Sequence, residues 1–201
     1  MLKTWMNSIC AGILIAIGGS VFLACDNRYV GAVMFSVALL CICYRGYYLF
    51  TGKVGYLSES HTKKDISSLA IGLVGNLATT FLLGLLIRVT MPNLGEVAAT
   101  LCTKKLEQEF WQTLVRAVFC GFLMYLAVSI FRDKKTPLAI LFCVPVFILS
   151  GFEHSIADMF YFGASGLTDP KILLFTLAVV LGNSIGGVAL PLLQKAGGKD
   201  E

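Results

Sequence analysis

Charge is the scarcest property of this sequence. Only 14% of its 201 residues are Asp, Glu, Lys or Arg, whereas soluble globular chains carry about 25%. Hydrophobic residues make up 57% of the chain, and the mean hydropathy is +0.80. These values exclude a soluble domain and predict an all-α integral membrane protein. We expect residues 1–201 to form one membrane domain, because the apolar segments leave no room for a separate soluble one.

Motifs for enzymatic chemistry are also missing. The chain has no Cys-x-x-Cys or His-Glu-x-x-His motif and no phosphate-binding loop. Most of its seven cysteines lie in apolar runs, which favours small hydrophobic residues over disulfides or metal ligands. The net charge of +4 comes from short basic clusters between apolar runs and not from a long basic stripe. We therefore expect no catalytic site, no cofactor, no metal and no nucleic-acid partner.

Charge-free windows predict six transmembrane helices, near residues 4–25, 29–50, 66–90, 106–131, 136–165 and 171–193. An even number of spans puts both termini on one side of the bilayer. Lysine and arginine prefer the cytoplasmic side, and most of them lie in the loops that share a side with the termini. We therefore predict a multi-pass protein of the cell membrane with cytoplasmic termini. The basic residues of that side are Lys3, Lys53, Lys63, Lys64, Arg132, Lys134, Lys135, Lys195 and Lys199.

The fifth span contains ionisable residues. Residues 136–152 and 159–168 carry no charge, but Glu153, His154 and Asp158 lie between them. Ionisable groups at membrane depth are costly unless they face a cavity or a partner, so they indicate a functional site. Gly151 allows the helix to break there, and a broken helix at the midplane is typical of transporters. We expect Glu153 to accept hydrogen bonds from backbone N–H groups that the break leaves free.

The sequence contains a weak internal repeat. Leu49-Phe-Thr-Gly52 is followed by Gly75-Asn76, and Gly151-Phe-Glu-His154 is followed by Gly182-Asn183. The repeats cover about residues 1–100 and 104–195, with three spans each, so the second must be inverted relative to the first. Inverted repeats with broken second and fifth helices bring two half-helix ends to a shared site. The glycines also allow close helix packing, which is compatible with this interpretation.

Three motifs resemble those of one known family. Gly151-Phe-Glu-His-Ser-Ile-Ala-Asp-Met-Phe160 is similar to the signature of the formate/nitrite transporter family. Leu49-Phe-Thr-Gly52 resembles its first-repeat loop, and Gly182-Asn-Ser-Ile-Gly-Gly187 resembles its last-helix motif. The motifs occur in the family's order, and the resemblance covers essentially the whole chain. It implies an aquaporin-like protomer in a homopentamer, with one pore per protomer for small monovalent anions or their conjugate acids.

The resemblance also implies roles for individual residues. Thr51 would be the loop threonine that faces the substrate path, His154 the central pore histidine and Asn183 the asparagine near it. Lys105 matches the family's lysine that attracts the anion, with Lys104 as an adjacent candidate and a snorkelling interfacial lysine as the alternative interpretation. Apolar constrictions would be formed by Phe35, Leu39, Leu49, Phe50 and Phe147.

Four positions depart from the family pattern. Tyr48 stands where an acidic residue often precedes the Leu-Phe-Thr motif, and Lys53 stands where asparagine is common. Gly121 falls where some members have asparagine, which removes a second amide from the surroundings of His154. Asp158 replaces the usual asparagine and alters the charge near the mouth of the pore. The substrate is therefore not copied from any one relative.

The predicted function is transport of small weak-acid anions together with protons. Desolvation raises the pKa of a weak acid, so an anion drawn inward takes up a proton and passes an apolar ring as the neutral acid. The imidazole of His154, with an unperturbed pKa of about 6.5, suits proton exchange or pH gating. Formate, nitrite, hydrosulfide, acetate and lactate all meet this description.

Two alternatives belong to other classes. A neutral-solute pore of aquaporin type shares the broken-helix fold but needs two Asn-Pro-Ala loops, which this chain lacks. An intramembrane enzyme would use Glu153, His154 and Asp158, but a metal-binding partner for His154 is missing because His61 lies in a polar loop. A purely structural membrane protein does not explain ionisable residues in an apolar span.

Overall fold

The computed structural model describes residues 1–198 as a bundle of α-helices. Lys199, which the sequence analysis assigned to the cytoplasmic side, lies outside the described residues. The α-helices of the described part, in chain order, are α1 (Leu2–Ala24), α2 (Arg28–Arg45), α3 (Phe50–Lys53), α4 (Lys63–Thr90), α5 (Pro92–Leu106), α6 (Phe110–Lys134), α7 (Leu138–Leu149), α8 (Ser155–Ser165) and α9 (Lys171–Ala196). A short 3₁₀ segment, Val54–Ser58, continues α3.

Six membrane spans can be assembled from these helices. Helices α1, α2, α4, α6 and α9 are each long and apolar enough to cross a membrane. The fifth span consists of α7 and α8, which are separated by residues 150–154. The second span is interrupted as well, because α2 ends at Arg45 and α3 begins at Phe50. The prediction of an all-α membrane fold with broken second and fifth helices is confirmed.

Glycines in the left-handed backbone region lie at both breaks. Gly46 follows α2 with φ of 67°, and Gly151 follows α7 with φ of 69°. Residues with a Cβ rarely adopt this conformation, so glycine ends a helix there at little cost. The first break therefore lies before the Leu-Phe-Thr-Gly motif, at residues 46–49. The glycines of the motif itself, Gly52 and Gly55, lie in α3 and in the 3₁₀ segment.

Helix α5 was not predicted. The sequence analysis assigned Met91-Pro-Asn-Leu-Gly95 to a turn, but Pro92 opens a helix whose buried residues include Leu94, Ala98 and Cys102. These positions recur every four residues and therefore share one helix face. Helix α5 packs on α8, and its last turn carries Lys104 and Lys105. Both lysines thus reach the second break from an element outside the six spans.

Helix pairs in the two halves of the chain pack in the same pattern. Helix α1 packs on α2 and α4, and α6 packs on α7 and α9. The broken segments cross between the halves, because α8 packs on α4 while the 3₁₀ segment packs on α9. Side chains from both halves therefore meet near the centre of the bundle.

Close approach of α6 and α9 depends on glycine. A Cβ on Gly121 would lie 2.5 Å from the carbonyl oxygen of Asn183, and one on Gly186 would lie 2.0 Å from the carbonyl oxygen of Val118. Small residues allow such contact between membrane helices, where no hydrophobic effect drives them together. Large apolar side chains such as Leu82, Val89 and Leu173 are instead exposed on the outside of the bundle, as expected for a surface that faces lipid.

Candidate functional site

Two of the cavities within the described residues open beside the breaks. The first, the His154 vestibule, has a volume of about 380 Å³ and is lined by Phe22, Arg28, Phe35, Leu101, Lys104, Lys105, Phe147, Ile148, Gly151, Phe152, His154, Ala157, Asp158 and Tyr161. The second, the Arg132 vestibule, has a volume of about 140 Å³ and is lined by Leu39, Ile42, Cys43, Gly46, Tyr47, Leu49, Gly52, Lys53, Tyr56, Val128, Phe131, Arg132 and Lys135. Each vestibule contains three basic residues.

A thin apolar wall separates the two vestibules. Phe35 lines the His154 vestibule and Leu39 lines the Arg132 vestibule, and four residues along α2 correspond to a rise of only about 6 Å. The Phe35 ring meets the Phe147 ring edge to face, with centroids 6.3 Å apart. Leu49 completes the wall on the Arg132 side. Of the five predicted constriction residues, Phe50 alone lines neither vestibule, although it is buried.

His154 lies at this wall and is almost completely buried. Its ring stacks on Phe147, with centroids 5.5 Å apart and planes inclined by 20°. Nδ1 accepts a hydrogen bond from the N–H of Ala157 at 3.1 Å, which caps the N-terminus of α8. Because Nδ1 is an acceptor, the proton of the neutral ring resides on Nε2. Nε2–H therefore donates to Oγ1 of Thr51, 2.9 Å away.

Two buried asparagines hold the broken segments. Asn183 on α9 accepts a hydrogen bond from the N–H of Ser155 at 2.9 Å and donates to the carbonyls of Glu153 and Ala117 at 2.8 and 2.9 Å. The bonds to Ser155 and Glu153 satisfy backbone groups that the break leaves without helical partners, and the bond to Ala117 connects the break to α6. Asn183 thus supports the backbone on both sides of His154 and lines neither vestibule.

Asn76 on α4 makes the corresponding bonds at the first break. It accepts a hydrogen bond from the N–H of Phe50 at 2.8 Å. Its amide donates to the carbonyls of Tyr48 and Ser8 at 2.9 and 2.8 Å. The sequence analysis listed Asn76 only as part of a repeat and missed this role, although its spacing from the Leu-Phe-Thr-Gly motif was visible.

A buried ion cluster lies beside His154. Nζ of Lys105 contacts a carboxylate oxygen of Glu153 and lies 3.0 Å from Oδ1 of Asp158. The side chains of Lys105, Glu153 and Asp158 are 13%, 2% and 5% exposed, respectively. The other oxygen of Glu153 accepts a hydrogen bond from Nε2 of Gln108 at 2.7 Å. The cluster therefore combines one cation with two carboxyl groups.

This cluster corrects two interpretations made from the sequence. Lys105 is not a snorkelling interfacial lysine, because its side chain turns inward onto two carboxyl groups. The carboxylate of Glu153 binds the side chains of Lys105 and Gln108 and not the freed backbone N–H groups. Asn183 supplies that backbone support instead. Lys105 still lines the His154 vestibule beside Lys104.

Arg28 and Gln108 are site residues that sequence reasoning missed. Nη2 of Arg28 donates to the carbonyl of Ile148 at 3.1 Å, at the C-terminal end of α7, and the guanidinium lines the His154 vestibule. A cation at a helix C-terminus complements the helix dipole. No local pattern marked either residue, because each reaches the second break from a distant part of the chain.

The other departures from the family pattern have packing roles. Tyr48 lies against Gly72, where a Cβ would approach the ring to 2.3 Å. Lys53 lines the Arg132 vestibule, with Nζ 5.9 Å from the centre of the Tyr56 ring. Arg132 stacks over the same ring at 4.3 Å and pairs with Glu59 at 3.0 Å. None of these side chains contacts His154.

A bundle of membrane-spanning helices with two breaks, two basic vestibules and a buried histidine between them defines a membrane channel or transporter. A sequence model described as Formate/nitrite transporter matches residues 1–195. The chain therefore belongs to the formate/nitrite transporter family. Members of this family are anion channels and transporters and not enzymes, so the predicted class is confirmed and the intramembrane-enzyme alternative is wrong.

Individual relatives agree with this assignment. The "Uncharacterized transporter YwcJ" of Bacillus subtilis is 31% identical over 216 residues, which cover 92% of this chain and 84% of the relative. A solved "FNT family ion channel" superposes with a TM-score of 0.80 at 26% identity and covers 94% of this chain and 87% of its own. A "Pentameric formate channel with formate bound" superposes with a TM-score of 0.77 at 24% identity, covering 96% and 94%.

Proposed function

We propose that the protein conducts small monovalent anions of weak acids, of the formate and nitrite type, and that they cross the apolar wall as neutral acids. The observation that carries this proposal is the position of His154, buried at the wall and bonded to Thr51 across it. An ionisable group at this depth needs a functional reason, because membrane interiors penalise charge.

The wall and the vestibules act on different forms of the substrate. Basic side chains in both vestibules attract anions and raise their local concentration. The apolar wall then removes water from the substrate; its residues are Phe35, Phe147, Leu39 and Leu49. Transfer of a bare charge into such surroundings has a high free-energy cost. Desolvation raises the pKa of a weak acid, so the anion takes up a proton at the wall. Anions of strong acids have no such route and are excluded.

His154 makes the wall sensitive to pH. In its neutral form both ring nitrogens are engaged, Nδ1 with Ala157 and Nε2 with Thr51. Protonation at Nδ1 removes the acceptor that caps α8 and adds a positive charge at a helix N-terminus, where the helix dipole opposes it. Protonation of His154 is therefore tied to rearrangement of α8 at the wall, which couples conduction to pH.

The same reasoning covers several substrates. Formate, nitrite, hydrosulfide, acetate and lactate are all monovalent anions of weak acids, and the width of the wall at Phe147 and Leu49 selects among them by size. Hydrosulfide and short-chain carboxylates are therefore alternative physiological substrates for the same pore. A pore for neutral solutes has no use for three basic residues in each vestibule.

The assembly and orientation belong to the same proposal. We infer a homopentamer in the cell membrane with cytoplasmic termini and with residues 1–100 and 104–195 as inverted repeats. The corresponding hydrogen bonds of Asn76 and Asn183 support the repeats, and the lysine and arginine bias supports the orientation. The pentamer is inferred from the related formate channel. Mass measurement in lipid nanodiscs checks the pentamer, and a monomeric mass contradicts it.

Uptake into proteoliposomes tests the proposed function. Formate, nitrite, hydrosulfide, acetate, lactate and chloride are compared at about pH 5.5 and about pH 7.5, on either side of the unperturbed imidazole pKa. We expect flux of at least one weak-acid anion far above empty liposomes, faster at the lower pH, and no chloride flux. Chloride flux equal to formate flux at both pH values would show that passage does not require a neutral acid.

A further inference from the structure

The carboxyl group of Asp158 has one oxygen without a partner. Oδ1 lies 3.0 Å from Nζ of Lys105, whereas Oδ2 is buried and has no hydrogen-bond partner. The residue is 4% exposed and lines the His154 vestibule. A buried carboxylate oxygen without a partner is costly, because desolvation is not compensated.

The charge of the ion cluster favours a proton on Asp158. Lys105 balances only one of the two carboxyl groups, and a net charge in a buried site is unfavourable. Both oxygens of Glu153 are engaged, one by Lys105 and the other by Gln108. A single proton on Oδ2 of Asp158 neutralises the cluster without breaking any of these contacts.

The groups around Asp158 do not supply a second balancing cation. Within the described residues, the other ionisable groups that interact electrostatically with Asp158 are Tyr161 on α8, Cys102 on α5 and Cys120 on α6. None of these carries a positive charge. Arg28 and Lys104 line the same vestibule, but the only cation in a salt bridge with Asp158 among the described residues is Lys105.

The neutral ring of His154 is poorly placed to give a proton to the substrate. Its Nε2–H is used by Thr51, and its Nδ1 accepts from the backbone of Ala157. Asp158 follows on the same helix, and its N–H donates to the carbonyl of His154 at 2.8 Å. Asp158 lines the His154 vestibule, so an anion there lies next to this side chain. Oδ2 itself is buried and reaches the anion only when the carboxyl group turns outward.

We propose that Asp158 is the proton donor of the His154 vestibule, where its protonated carboxyl group turns Oδ2–H toward an incoming weak-acid anion, binds the anion and transfers that proton. The O–H bond at Oδ2 breaks as an O–H bond forms on an oxygen of the anion, or an S–H bond on hydrosulfide. The substrate leaves as the neutral acid, Asp158 remains as a carboxylate beside Lys105, and a proton from vestibule water restores it. This inference rests on the proposed function and names the source of its proton.

Asp158→Asn tests the proposal because asparagine keeps the shape of the side chain but has no proton to donate. Flux and proton uptake are measured together in proteoliposomes with a pH-sensitive dye in the lumen. We expect the maximal flux at neutral pH to fall at least tenfold and to depend less on pH. The KM at high pH should instead fall about fivefold, because one negative charge about 4 Å from the anion, with water around them, is removed. A purely structural role predicts no improvement in KM.

Two further variants control the experiment. Asp158→Glu keeps a titratable carboxyl group and should recover much of the flux, whereas Asp26→Asn makes the same chemical change at an exposed position near Arg28 and should behave like the wild type. Size-exclusion profiles of all variants check folding. If Asp158→Asn keeps the wild-type flux, pH profile and KM while the wild type carries weak acids, water supplies the proton and this inference is wrong. If the wild type carries no weak acid, the proposed function itself fails.

Discussion

The break before α3 and the break before α8 share their backbone support but differ in their side chains. At each break a buried asparagine accepts one backbone N–H and donates to two carbonyls. At the first break Leu49 and Thr51 are uncharged. At the second, His154 caps the helix, and Glu153 and Asp158 bind Lys105.

This difference distinguishes the residues that support the backbone at the breaks from the residues that can exchange protons. The asparagines have the same role at both breaks. Backbone N–H and C=O groups that a break frees inside a membrane must find hydrogen-bond partners within the protein. The titratable groups lie at one break only, which agrees with the single proton-exchange site of the proposed function. The first break contributes Thr51, whose hydroxyl orients the histidine of the second. Variants at the two breaks should therefore have matching effects on stability and different effects on pH dependence.

The largest expected effect is that of Lys105→Met. It leaves two buried carboxyl groups without their cation, which costs about 3–5 kcal/mol in comparable buried pairs. We expect a low yield and a lower temperature of unfolding in detergent. Lys104→Met should remain stable, because Lys104 is exposed. The triple variant Lys105→Met, Glu153→Gln, Asp158→Asn should recover stability. A stable Lys105→Met protein with intact carboxyl groups would show that the three residues do not act as a unit.

Replacing either asparagine by leucine should have the next largest effect. Asn76→Leu and Asn183→Leu each leave one N–H group and one carbonyl at a break without partners, at a cost of about 2–4 kcal/mol. Thermal unfolding of the purified variants measures this loss. Similar losses support equal roles at the two breaks. A large loss for Asn183→Leu alone would mean that the first break is held by other contacts.

A smaller effect on rate and a clear effect on pH dependence are expected for His154→Asn. Asparagine can still cap α8 but does not titrate, so flux should change by less than about tenfold and its ratio between low and high pH should fall toward one. Protons carried per anion should stay the same, because the substrate still crosses the wall as the neutral acid. Thr51→Val, which removes the bonded hydroxyl, should shift the pH profile without flattening it. A wild-type profile in His154→Asn would make His154 a packing residue.

The smallest effects are expected at the mouth of the His154 vestibule. The charge of Lys105 is balanced by carboxyl groups, so under the proposed function the remaining attraction for anions in this vestibule comes from Arg28 and Lys104. Arg28→Gln and Lys104→Met should each reduce uptake about twofold to fivefold at low ionic strength, and the difference should vanish at about 1 M salt, where the Debye length is about 3 Å. A defect that persists in high salt would indicate lost packing and not lost attraction.

Much of the fold was predictable because its signals are local. Charge-free windows of about 20 residues predict spans wherever they occur in a chain, and they located all six spans to within a few residues. Helix α5 escaped prediction because its apolar face shows only through the spacing of Leu94, Ala98 and Cys102. The first break was placed too far along the chain, because the sequence analysis assigned it to the Leu49-Phe-Thr-Gly52 motif, whereas Gly46 ends α2 with positive φ.

The candidate site was predictable only in part. The pairing of Glu153, His154 and Asp158 with an apolar span marked the second break, and the resemblance to the family suggested Thr51, Lys105 and Asn183. The roles of Lys105 and Glu153 changed once their contacts were visible. A side chain's partner depends on residues far away in sequence, and Lys105 lies 48 residues from Glu153. Gln108 and Arg28 carried no local signal for the same reason.

The sequence by itself determined that the protein resides in a membrane, that it has six spans and that the second break carries ionisable residues. Hydrophobic runs and helix-ending residues are local features of a sequence, so they can be recognised without the fold. The tertiary structure decided which charges are balanced, which tautomer His154 adopts and which oxygen of Asp158 remains free. Those properties follow from distances between side chains on different helices, such as the 2.9 Å between Thr51 and His154 across 103 residues of chain. Because these groups are buried, each of these properties affects stability, since a polar group inside a membrane protein has no water to replace a missing hydrogen-bond partner.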